Sequence, residues 1–138
     1  MSWAFSFVIC CLFKVFITIF AYMFAVKVPQ NKLFSTYLMW LNPVLNLSKG
    51  ELDILAALLT IHYNHRKYAP EVLNPLLFSE NTFEEIRKRI KINTKLFNKL
   101  VNSLKDKGLI EENRLNPKLT TYPEDGKFKL FVTFEVAK

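Results

Sequence analysis

From Leu33 onward, apolar residues recur at helical spacing through four stretches, and at strand spacing only near the C-terminus. Leu33–Leu41 is mostly apolar and predicts a short helix closed by Asn42-Pro43, because a residue before proline leaves the helical region. The next start is marked twice over. Ser48 can cap a helix with Glu51 three residues on, and Leu47 can staple onto Leu52. That helix is expected to run to about Asn64. Leu52, Leu55, Ala56 and Leu59 line one side and Ile54, Leu58 and Ile61 the other, so it is expected to be buried on both sides. Arg66–Ser79 reads as a loop or a broken helix around Pro70 and Pro75. The three Leu-Asn-Pro tripeptides (41–43, 73–75, 115–117) read as turns.

Residues 81–110 carry the densest local signals. Asn81 with Glu84 predicts a capped start, and Phe83, Ile86 and Ile90 form one apolar stripe. Lys91-Ile92-Asn93 follows as a three-residue turn, with Ile92 pointing inward and Asn93 capping the next helix. In that helix, 94–107, Phe97, Leu100, Val101 and Leu104 form the buried stripe. Lys95, Asn98, Lys99 and Asn102 fall within about 100° of one another on the opposite side. Gly108 suits a left-handed helix end, with Leu109 meeting Leu104 in a Schellman motif. Leu109–Leu115 reads as a strand. Phe128, Leu130, Val132, Phe134 and Val136 alternate with Lys127, Lys129, Phe131, Thr133 and Glu135 and predict a second strand. Between them, Pro117 and the turn Pro123-Glu-Asp-Gly126 make 115–128 the expected tip of a hairpin, with Lys118 near its start.

The expected fold is mainly α with a small β-hairpin: a winged helix-turn-helix over 31–138, preceded by an apolar segment over 1–30. Trp3–Val26 is apolar apart from Lys14 and is long enough to span a bilayer. Lys27 and Lys32 follow it, which would leave the rest of the chain on the cytoplasmic side. Lys14 near its midpoint and its Phe, Ile and Val content weigh against a span. Three readings stay open: a membrane anchor, a dispensable stretch ahead of a start at Met23, or a segment buried in the fold or in a dimer.

Charge sharpens the picture. The net charge is +7, and all 12 acids lie at or after Glu51. The window Arg87–Lys107 holds eight basic residues against one acid, so basic charge gathers on the helix-turn-helix stretch. Adjacent Cys10 and Cys11 form no metal or disulfide framework, which fits a reducing cytoplasm. His62 and His65 lack a ligand set around them, so no metal or other cofactor is expected. A Gly-rich phosphate loop, a nucleophile elbow and a paired-carboxylate site are all missing, which argues against an enzyme.

From Leu47 to Val136 the chain resembles a MarR-type winged-helix domain, especially the small divergent versions encoded by tailed bacteriophages. The capped helix at 48–64, the pattern Ile86…Phe97…Leu100…Leu104-x-x-x-Gly108-Leu-Ile110 and the hairpin after it carry the resemblance. It implies a transcriptional regulator of the host cytoplasm that binds double-stranded DNA. Lys95, Asn98, Lys99 and Asn102 would enter the major groove, while Arg87, Lys88, Lys91 and Lys105 steer and Lys118 touches phosphate from the wing. The acidic wing tip, Glu124 and Asp125, departs from the family pattern. Dimerisation would have to use residues before 48. The competing reading is a winged-helix adaptor whose basic arc meets an acidic protein in a phage or membrane-associated assembly.

Overall fold

The structure, a computed structural model, describes residues 27–129 and 135–137. The apolar run 3–26 lies outside the described residues. Among the described residues, no helix is long and apolar enough to cross a membrane. The chain divides into two units, Met1–Gln30 and Asn31–Lys138, and the helices and hairpin below belong to the second.

That unit is mainly helical. Its elements are α1 (Leu33–Leu45), α2 (Lys49–Asn64), α3 (Pro70–Leu77), α4 (Glu80–Ile90), α5 (Thr94–Asp106) and a hairpin of β1 (Ile110–Glu111) and β2 (Arg114–Leu115). α2 is the central element and packs against all four other helices. Its apolar residues from Ile54 to Leu59 are buried on every side, as its all-round apolar pattern requires. Ser48 Oγ accepts from the Glu51 amide, as expected of the cap. The Glu51 carboxylate also accepts the Ser48 hydroxyl at 3.0 Å.

Two prolines sit differently from the expectation. α1 does not stop at Asn42 but continues through Pro43 to Leu45, ending at Asn46 in the left-handed region (φ 54). The Asn42 side chain accepts from Leu47 N at 2.8 Å and donates to Leu47 O at 3.2 Å. The extension carries Leu45 and Leu47 onto the core, and that burial overrides the local preference. Pro70–Leu77 likewise forms a helix, with Pro70 in the first turn, where its missing N–H costs nothing. Leu73 and Leu77 anchor it despite Pro75. Two of the three Leu-Asn-Pro tripeptides therefore lie in helices, and only 115–117 opens a turn.

The start of α4 also moves. Ser79, not Asn81, is the cap: its Oγ accepts from Thr82 N, and the Thr82 hydroxyl donates to Leu76 O at 2.7 Å. Thr82 is buried, so the cap falls two residues earlier than the Asn81–Glu84 pair suggests.

The largest departure concerns the strands. The segment expected to be one strand, Leu109–Leu115, is itself the whole hairpin: Ile110 pairs with Leu115 and Glu111 with Arg114 in antiparallel register. Glu112 takes φ 52 in the turn, a conformation usually given to Gly or Asn. Folding back places both Ile110 and Leu115 in the core. The ladder cannot extend through Pro117, which has no N–H to donate. No strand therefore forms over 116–129, and the expected 115–128 hairpin gives way to a loop with turns at Asn116–Leu119 and Pro123–Gly126. Of the expected strand at 127–136, residues 127–129, 135 and 136 are not strand and Val136 is exposed. Residues 130–134 lie outside the described residues.

Instead of pairing, the loop is held by rings. Phe34, Tyr63, Tyr122 and Phe128 meet edge to face with centroids 5.0 to 6.4 Å apart. The Tyr122 hydroxyl lies 2.8 Å from His62 Nδ1. Burial pushes the Tyr122 phenol up and the His62 imidazole down, which favours the neutral form of each.

Candidate nucleic-acid interface

α4 and α5 meet through the expected turn. Lys91 adopts a left-handed conformation (φ 65), donating its amide to Arg87 O at 2.8 Å. Ile92 tucks inward and Asn93 Oδ1 accepts from Leu96 N at 2.8 Å, starting α5. At the other end, Gly108 (φ 78) completes the Schellman motif. Leu109 N donates to Leu104 O at 3.1 Å and Gly108 N to Lys105 O at 3.0 Å.

Two contacts fix α5 against α2. Phe97, Val101 and Leu104 are buried, and Leu100 lies so close to Gly50 that a Cβ there would stand 2.7 Å from its Cδ1. The second contact is ionic. Lys107 Nζ lies 2.9 Å from Glu51 Oε2 and donates to Asn46 O at 2.9 Å. Burial alone would push the Glu51 carboxyl up. Hydrogen bonds from Lys107 and Ser48, together with the Lys107 charge, outweigh it and hold the group below its ordinary value. Lys107 thus serves the fold, tying the end of α5 to the start of α2.

The outward face of α5 presents Lys95, Asn98, Lys99 and Asn102, all exposed. Lys91 and Lys105 are exposed as well, and among the described residues none of these four lysines has a side-chain partner. A shallow, open hollow at the turn, between Glu84, Lys88, Lys91 and Thr94, adjoins the start of α5. Leu96, 42% exposed, lies between Lys95 and Lys99 in sequence. Its place at the boundary between the buried and the exposed face of α5 follows from the helical spacing.

The remaining expected residues divide. Arg87 is largely covered: it bonds Glu80 at 2.6 Å and lies over the Phe97 ring at 5.4 Å. Lys88 pairs with Glu84 at 3.2 Å, and the neighbouring Arg89 pairs with Glu85 at 3.6 Å. Every cation of α4 therefore faces a glutamate of the same helix. Lys118 is exposed in the loop beyond β2 and is carried on no hairpin. It follows Asn116, whose side chain donates to Gly108 O at 2.9 Å, so the loop is tied to the end of α5. The histidines serve packing: His62 meets Tyr122, and His65 Nδ1 meets Ile61 O at 2.9 Å. Among the described residues, no cluster of potential ligands could hold a metal ion.

In comparisons with protein-family models, curated proteins and solved structures, nothing matches the chain.

Proposed function

We infer that this chain is a double-stranded DNA-binding protein of the winged helix-turn-helix kind, with α5 as its recognition helix. It acts by binding rather than catalysis, as a transcriptional regulator in the cytoplasm. The observation that carries this reading is the outward face of α5. There Lys95, Asn98, Lys99 and Asn102 stand exposed together on a helix fixed at its back by α2, while the cations of α4 are occupied by carboxylates. Lysine suits phosphate or the guanine edge, and asparagine the adenine edge. Lys91 and Lys105 extend the positive face at either end of α5. The short 110–115 hairpin takes the place of the wing, and Lys118 is a peripheral phosphate contact at most. The MarR-like resemblance of the sequence agrees with this reading.

The test is affinity for duplex DNA of mixed sequence across a range of salt. Log K is expected to fall with log salt by about 0.9 for each phosphate neutralised, three to four phosphates in all given Lys91, Lys95, Lys99 and Lys105. Absence of duplex binding at low salt would overturn the reading.

A further inference from the structure

The outer face of α1 has no role in that reading. Met39, Trp40 and Val44 are 60%, 63% and 81% exposed, and Pro43 beside them is exposed too. Phe34 and Leu38 already bury the inner face of the same helix, so α1 is apolar on two sides and covered on one. A large exposed tryptophan beside a methionine and a valine marks a surface that meets something apolar.

The surroundings of α1 identify what it meets. Between Leu33 and Ser48 there is no charged residue, Lys32 stands just before and Lys49 just after, and both are exposed. Residues 1–50 contain four lysines and no acid at all. A second copy presenting this face would set Lys32 and Lys49 near their own images. The few side chains involved also fall well short of the ~800 Å² per partner that a stable interface buries. An anionic bilayer reverses the sign of that argument. Lysines flanking an apolar patch are drawn to the headgroups while tryptophan occupies the interfacial layer. In sequence, α1 follows only six residues after the apolar run Trp3–Val26, whose composition suits hydrocarbon.

We propose that the outer face of α1, centred on Trp40, lies in the headgroup layer of an anionic membrane, with Lys32 and Lys49 against the lipid charge. α1 and α5 both pack on α2 and make no extensive contact with each other, so the face is separate from the basic face of α5. The inference does not rest on DNA binding.

The experiment uses the full chain with Trp3→Phe, which leaves Trp40 as the sole tryptophan. In vesicles of phosphatidylserine and phosphatidylcholine, acrylamide quenching of Trp40 should drop at least about threefold relative to the lipid-free protein, and shallow brominated lipid should quench it. Lys32→Glu with Lys49→Glu, both at exposed positions, should restore acrylamide access while leaving the helical circular dichroism intact. Trp40 as accessible with vesicles as without them overturns the proposal. So does shielding that vanishes when the protein-to-lipid ratio is lowered, which assigns the face to a second copy. Equal shielding in phosphatidylcholine alone also overturns it, because charge then plays no part.

Discussion

α4 and α5 are neighbours of similar length, both amphipathic, both rich in cations, and they use those cations in opposite ways. α4 carries Arg87, Lys88 and Arg89, and three glutamates of the same helix, Glu80, Glu84 and Glu85, face them. α5 carries Lys95, Lys99 and Lys105, its only acid is Asp106, and none of the three lysines has a side-chain partner among the described residues. Exposed pairs such as Lys88–Glu84 contribute little to stability, about 0.3–0.5 kcal/mol each. Their effect on the surface potential is larger, because a cation with a carboxylate 3 Å away offers little to a distant phosphate. Positive charge that looks continuous along 87–107 is therefore concentrated on Lys91 and the face of α5. Lys107 stands apart from both groups, spent on the buried Glu51.

The sharpest test of that division is Lys107→Met. It strips Glu51, whose side chain is 7% exposed, of a cation that is itself 35% exposed, and should cost about 1–2 kcal/mol of unfolding free energy in urea titration. The same change at exposed Lys105 should cost less than about 0.5 kcal/mol. An equal loss at both positions would dissolve the distinction between a structural and a free lysine. Acid should expose the same clamp. Because the folded-state value of Glu51 lies below the unfolded one, its contribution is complete above the ordinary carboxylate range, near pH 4–4.5, and is lost as the pH falls further. That acid sensitivity should be reduced in Lys107→Met.

Binding gives the next contrast. Lys99→Glu should weaken duplex binding at least about tenfold and flatten its salt dependence. Replacing Lys88 and Glu84 together by Gln, which removes a cation with its partner and leaves the net charge unchanged, should change binding by less than about threefold in the same gel-shift titration. Matching losses would show that α4 contributes as a free cationic surface after all. The smallest expected effect is at the turn. Lys91→Gly relieves a left-handed lysine and should raise stability by about 1 kcal/mol while lowering DNA affinity. The two readouts are expected to move in opposite directions.

Much of this arrangement is readable from local signals. Ser48 with Glu51, Asn93 with its helix, and Gly108 with Leu109 each satisfy helix-end groups within a few residues, so the ends of α2 and α5 fall where spacing puts them. The inward stripes read equally well, because burial follows helical period. What failed was decided by packing at a distance or by weak turn chemistry. α1 passes Pro43 because Leu45 and Leu47 gain the core. The turn Glu112-Asn113 lacks the glycine that normally flags a two-residue hairpin, so 109–115 looked like a single strand. Arg87 looked free because its partner Glu80 lies seven residues away, outside the usual three- or four-residue spacing.

Gly50 gives the molecule a property that none of its charged residues supplies. The separation of α2 and α5 at that point is set by a missing atom, since a Cβ there would come within 2.7 Å of Leu100 Cδ1. The obstacle is the tip of a half-buried leucine rather than backbone, so a larger residue at position 50 meets something able to yield. A residue larger than glycine there is therefore accommodated by a shift of the Leu100 side chain, behind the face that carries the lysines.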